Sequence, residues 1–159
     1  MDIARLLLLL VIVNGAPILA RWLLGSHGAW PVDGGRRYAD GRPLLGPAKT
    51  WRGLFAALLA GALAAPPLGL SPLLGLQLAA AAMAGDLLSS FLKRRLGYAS
   101  SSMALGLDQI PEALLPALLA MPYLQLSLAE VLWVVALFFA VELLLSRLLY
   151  RLGIRREPY

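Results

Sequence analysis

Long apolar runs alternate with two polar segments along the chain. Apolar stretches cover residues 3–24, 53–70, 71–92, 110–126 and 128–150. A bilayer-spanning helix takes about 20 such residues, so the pattern predicts five helices. The fourth run is the shortest and is broken by prolines. Residues 25–52, GSHGAWPVDGGRRYADGRPLLGPAKTWR, are rich in Gly and Pro and show no sustained period. They read as loop, and so long an ordered loop in a small protein is usually functional. A second polar segment, GYASSSMALGLDQ, covers residues 97–109.

The first run, with Arg5 ahead of LLLLLVIV, has the outline of a signal peptide. It continues past Asn14, Gly15 and Pro17 to Arg21, which is long enough to cross, and is read as a retained span. A break at Asn14–Pro17 is tolerated where it faces protein or a cavity. Pro66–Pro67 reads as a turn. No internal repeat or heptad pattern is present.

Composition supports the membrane reading. Hydrophobic residues make up 60% of the 159 and charged residues 14%, with a mean hydropathy of +0.75. About a quarter of a soluble domain is charged, so an ordinary soluble globule is excluded. Cys is absent, which excludes disulfides and thiolate–metal sites. The net charge is +5, and its placement is informative. With five spans, every one of the 14 Lys and Arg residues except Arg5 falls on the side of the two polar loops and the C-terminal tail. The positive-inside rule makes that side cytoplasmic and leaves the N-terminus outside. The expected architecture is an all-α integral membrane protein with residues 1–159 as one membrane-embedded domain.

An ionisable side chain inside a membrane helix is costly and marks a candidate site. Asp86, in LAAAAMAGDLLSSFLKRR, is the clearest. Ser89, Ser90 and Lys93 follow it at helical spacing on one face, and Gly85 permits a close approach. Asp108 lies 22 residues further on and can return to the same mouth; it also stands where the fourth helix needs an N-cap. Two carboxylates with substrate phosphates are what Mg²⁺ usually takes. Asp33, Arg36, Arg37, Asp40, Arg42, Lys49 and Arg52 share the Gly-rich loop, a composition suited to phosphate or to an anionic lipid surface. Lys93, Arg94 and Arg95 also fit as stop-transfer charges. GRPLLGPAKT approaches a P-loop without being one, because Pro47–Ala48 separate the glycine from Lys49–Thr50 and no strand precedes it. His27, the single histidine, has no evident partner. Glu142 in the fifth run is either a site residue or a helix-pairing group. Trp22, Trp30 and Trp133 suit interface anchoring, and Trp51 either stacks beside a base or anchors at the headgroups.

Two blocks carry a family resemblance. GPAKTWRG (46–53), preceded by Asp33-Gly34-Gly35-Arg36-Arg37 and Asp40-Gly41-Arg42, resembles CDP-archaeol synthase and its bacterial relatives, as does GDLLSSFLKRRLG (85–97) followed by LDQ (107–109). Asn14 and Pro17 also fit. The second block is similar, more distantly, to the phosphatidate cytidylyltransferase signature. The matching segments span residues 14–109. The C-terminal region, VELLLSRLLYRLGIRREPY, lacks the His and Asn often found there in the family, and SSSMALGLDQ is poor in glycine. These departures bear on the lipid more than on the nucleotide.

The resemblance implies a five-helix, Mg²⁺-dependent enzyme of the cytoplasmic membrane. It would transfer CMP from CTP to a membrane lipid phosphate, archaetidic acid-like or phosphatidate-like, and release pyrophosphate. It assigns Asp86 and Asp108 to the metal and Asp86, Lys93 and Asp108 to catalysis. Lys49, Thr50, Arg52, Arg94, Ser89, Ser90, Arg36 and Arg37 are then expected to hold substrate. The expected partners are CTP, the lipid phosphate and the bilayer, with no nucleic acid and room for a homodimer. A different class of function remains open on the residues alone: a small proton- or cation-coupled transporter using Asp86 and Glu142.

Overall fold

The computed structural model describes residues 2–154. Five α-helices follow one another: α1 (Asp2–Leu24), α2 (Trp51–Ala64), α3 (Pro72–Arg95), α4 (Gln109–Leu124) and α5 (Leu128–Arg151), with a short 3₁₀ turn at Pro66–Leu68 between α2 and α3. No strand is formed among the described residues. Three helices, α1, α3 and α5, are long and apolar enough to cross a membrane. α2 and α4 have 14 and 16 residues, about 21 and 24 Å at 1.5 Å per residue. The second apolar run ends as α-helix at Ala64 rather than near Leu70, because Pro66 and Pro67 have no N–H to continue the ladder. α3 instead extends past Leu92 and carries Lys93, Arg94 and Arg95 in its last turn.

Helix ends follow local chemistry. Thr50, Ser71 and Ser127 cap α2, α3 and α5, each accepting a backbone N–H with its hydroxyl. Ser127 and Glu130 form a capping box. α1 runs unbroken through Asn14 and Pro17. The Asn14 side-chain amide donates to the Leu10 carbonyl at 3.0 Å.

α3 is the central helix, packed against both α2 and α4, while α1 contacts α2 and α5 to close the ring. Leu6, Leu9, Leu10 and Val13 of α1, Leu74, Leu78, Ala82 and Met83 of α3, and Val131, Val134 and Phe138 of α5 fill the interior. Leu8, Ile12, Leu59, Leu63, Leu132 and Leu144 point outward, as expected where the surrounding solvent is lipid. Small residues bring backbones together. A Cβ on Gly75 would lie 2.2 Å from the Gly61 carbonyl oxygen across the α2–α3 crossing. On α3, a Cβ on Gly85 would lie 2.2 Å from the Pro111 carbonyl oxygen. That close approach seats the first turn of α4 directly beside Asp86.

Candidate active site

The 25–50 loop is an ordered scaffold built around Asp33. The buried Asp33 carboxylate accepts N–H bonds from Gly35 (2.9 Å), Leu45 (2.8 Å) and Gly46 (3.0 Å). The loop ends are stitched by Val32 N–H to Lys49 O at 2.8 Å and Trp51 N–H to Trp30 O at 3.0 Å. Gly46 has φ +99°, and a Cβ there would press on Ser100 Oγ at 3.1 Å, so this position brings the two polar loops together. Lys49 is thereby delivered to the N-terminus of α2.

Burial pushes the Asp33 carboxyl up, but the donated N–H bonds from Gly46, Leu45 and Gly35 outweigh it and hold the group below the ordinary value of 3.8. A lowered folded-state value contributes stability that is present above the unfolded value and lost as pH falls through the folded one. Protection of the Leu45 and Gly46 amides against hydrogen exchange is therefore expected to hold above the ordinary value and decay below it. Asp33→Asn should remove that acid-dependent step; an unchanged profile in the variant would place its origin elsewhere.

Lys49 Nζ meets Asp86 Oδ1 at 2.5 Å. Burial pushes the Lys49 ammonium down, while Asp86 and Glu112 hold it up, and the net effect is a raised value. Glu112, buried in the first turn of α4, comes within hydrogen-bonding reach of the Asp86 carboxyl. Glu142 of α5 is close enough to Glu112 to act on it electrostatically. A half-buried ion pair is weak evidence for stability. Its presence beside a second acid inside a helix bundle points instead to a site.

A second pair lies two turns along α3. Lys93 Nζ donates to Asp108 Oδ1 at 2.8 Å and to Ser102 O at 2.5 Å. Asp108 occupies the N-cap position of α4, yet its side chain does not cap the helix. Asp108 Oδ2 instead accepts from Ala104 N–H at 2.9 Å. Arg94 donates to Ala99 O at 2.9 Å. Arg95 forms a 2.6 Å ion pair with Asp40 and lies over the rings of Tyr38 and Phe91. Arg42 donates to the Arg94 and Arg95 carbonyls at the end of α3. The cations after Leu92 thus clasp both polar loops to the same end of the bundle.

A cavity of about 410 Å³ opens over the first pair. Its wall includes Pro17 and Arg21 from α1, Lys49, Thr50, Arg52, Gly53 and Leu54 around the start of α2, Met83, Asp86 and Leu87 from α3, and Ser100 and Ser101 from the second loop. Of the residues expected to hold substrate, Lys49, Thr50 and Arg52 border it. Arg52 also donates to the Gly25 carbonyl at 3.2 Å and the His27 carbonyl at 2.5 Å. Lys93, Arg94 and Asp108 stand outside the wall, in the second pair and its loop. The structure does not bring Ser89, Ser90, Arg36 or Arg37 to the cavity. Ser89 and Ser90 are buried, with Ser89 Oγ donating to Gly85 O at 2.9 Å. Arg36 borders a shallow surface hollow, and Arg37 donates to Gly41 O at 2.8 Å on an exposed turn. Trp51 packs on Phe55 at 6.0 Å, and His27 contacts the Leu24 carbonyl.

The family model for CDP-archaeol synthase, CarS-like, matches residues 6–71 and 68–159. The chain belongs to the CDP-archaeol synthase family. It is 34% identical over 166 residues to the CDP-archaeol synthase of Pyrobaculum calidifontis, covering 99% of each chain. It is 46% identical to that of Hyperthermus butylicus over 103 residues, 61% of this chain and 58% of that protein. A solved intramembrane enzyme for archaeal membrane lipids biosynthesis has a similar fold. Its TM-score is 0.76 at 31% identity, covering 89% of this chain and 90% of that one. This family member is an all-helical, multi-pass membrane protein.

Sequence reasoning missed Glu112 as a partner of Asp86. A usable signal was present, since Glu112 is an acid in an apolar run, one helical turn after Asp108. The prolines at 111 and 116 drew attention to where that run breaks rather than to its charge.

Proposed function

We propose that the chain transfers CMP from CTP to the phosphate of a membrane lipid, archaetidic acid-like or phosphatidate-like, and releases pyrophosphate on the cytoplasmic side. Family membership supports the coarse activity, a membrane-embedded CTP-dependent cytidylyltransferase acting on a lipid. The observation that carries the reading at the level of residues is the Lys49–Asp86 pair beneath a cavity shared by three helices and both polar loops. The cytidylyltransferase reading uses the ordered loop that carries Lys49 to Asp86, which a transporter does not require. The clasp between the loops puts their cations at one end of the bundle, which supports a cytoplasmic mouth.

The attacking group is already an oxyanion, so little proton transfer is required. A lipid phosphate oxygen bonds to the α-phosphorus of CTP while the bond from that phosphorus to the bridging α–β oxygen breaks. The barrier is the approach of one anion to another, so catalysis is positioning and charge neutralisation. Lys49 can exchange Asp86 for a phosphate oxygen. The Thr50 hydroxyl, which borders the cavity, can donate into it, while the Trp51, Gly53 and Leu54 N–H groups of the first turn are bonded to Trp30 O, Thr50 Oγ1 and Thr50 O. Lys93 holds Asp108 and the second loop in register with α3.

The donor set fits Mg²⁺. No group of three or more His, Cys, Asp or Glu close enough for a metal lies among the described residues, but Mg²⁺ takes only one or two carboxylates when phosphates and water complete its shell. Two adjoining acids, Asp86 and Glu112, also call for positive charge between them. Asp86, with Glu112 beside it, would hold the ion at the cavity. Asp108, expected from the sequence as its second ligand, is engaged by Lys93 and the Ala104 N–H outside the wall and would join it only by exchanging those partners. When bound, it would neutralise the triphosphate and the departing pyrophosphate.

The test is incubation of the purified protein with CTP labelled at the α-phosphate, Mg²⁺ and a panel of lipid phosphates. Label is expected on one lipid class, with one pyrophosphate released per CMP transferred. Failure to label any of the lipid phosphates would overturn the reading.

A further inference from the structure

We propose that Arg21 binds the phosphate of the lipid acceptor, a membrane-anchored phosphomonoester, on the α1 side of the cavity. This rests on the cytidylyltransferase reading and names the acceptor subsite within it. Three described cations border the cavity: Arg21, Lys49 and Arg52. Lys49 is tied to Asp86, and Arg52 is tied to the carbonyls of Gly25 and His27. The Arg21 side chain makes no hydrogen bond or ion pair among the described residues, although it stands in the wall of a built site.

Depth distinguishes which anion Arg21 would meet. It lies in the last turn of α1, followed by exposed Trp22, Leu23 and Leu24. An exposed Trp beside an Arg at a helix end is the pattern of the headgroup level. One turn deeper on each neighbouring helix the wall is apolar, with Pro17 on α1, Leu54 on α2 and Met83 on α3. The polar donors Lys49, Thr50 and Ser100 lie on the loop side. A ligand with apolar tails and one terminal phosphate matches this order: tails against the deep wall, phosphate at Arg21. A nucleoside triphosphate, which has no apolar tail, matches the loop side. The planar guanidinium can grip two phosphate oxygens at once. That leaves the third free to attack the α-phosphorus, while the pyrophosphate leaves toward Lys49 and the loop.

The full-length protein in mixed micelles tests this, with CTP and lipid phosphate varied separately for wild type, Arg21→Gln and Arg21→Lys. Arg21→Gln should raise KM for the lipid phosphate roughly ten-fold or more, the size of one lost charge-assisted contact. KM for CTP and the CTP-dependent thermal shift should be unchanged, with Arg21→Lys intermediate. An unchanged lipid KM would overturn the proposal; a CTP KM rising in step would move Arg21 to the triphosphate. Glycerol 3-phosphate, the same phosphate class without tails, should not acquire label; labelling as readily as the lipid would remove the membrane anchor from the proposal. Failure of the wild type to label any lipid is the separate result that sinks the cytidylyltransferase reading itself.

Discussion

Asp86→Asn is expected to lower CMP transfer by roughly a thousand-fold or more while the protein stays folded. Electrostatic groups aimed at a developing charge contribute on this scale. The substitution keeps the shape of the side chain and removes its charge. Lys49 then loses the charge of its 2.5 Å partner and keeps an amide oxygen to donate to, and Glu112 remains near enough to balance the ammonium, so the bundle has no reason to open. Two measurements check the result. Turnover with labelled CTP should collapse, and the extra thermal stability conferred by Mg²⁺ with CTP should disappear, because a ligand stabilises only what binds it. Full turnover in the variant would remove Asp86 from the mechanism. Loss of the fold without ligand would show that the pair is structural.

Gly85→Ala should be the most damaging small substitution. The added methyl would sit 2.2 Å from the Pro111 carbonyl oxygen and 2.8 Å from the Glu112 nitrogen. Both are backbone atoms at the start of α4 and cannot swing aside as a side chain can. Overpacking of this kind costs about 3 kcal/mol, and the apparent Tm in detergent should drop by roughly 5–10 °C. Activity should fall further than stability explains, since the same displacement carries Glu112 away from Asp86 and Asp108 away from Lys93. An unchanged Tm would mean that α3 and α4 separate freely, and that the acids are not held by this contact.

Much of the architecture was legible because lipid imposes a simple rule on sequence. Each apolar run became a helix, with ends within a few residues of those expected except where Pro66–Pro67 stop α2 early. The exclusion of disulfides also followed directly, as Cys is absent. Asp86 stood out because a carboxylate in LAAAAMAGDLLSS has no cheap explanation. The Gly-rich loop announced itself by composition, and its final residues do reach the cavity.

Partner choice was not legible. Asp40 meets Arg95 across 55 positions and Lys49 meets Asp86 across 37. Neither spacing has a local period that pattern reading could detect. Asp33 was grouped with the loop cations, yet it serves as an acceptor for three backbone N–H groups. Arg36 and Arg37 carry the right charge for phosphate, but Arg36 lines a separate surface hollow and Arg37 is held by the Gly41 carbonyl.

The sequence alone thus determined the number and type of the helices and the positions of the acids within them. Apolar length and helical period are local properties, and a bilayer amplifies both. Only the tertiary structure decided which charges meet, because that depends on backbone approach at a few crossings. Gly85 against Pro111 brings Glu112 to Asp86, and the Asp33-centred loop carries Lys49 there from the other side. These are contacts between distant parts of the chain, set by packing rather than by periodicity.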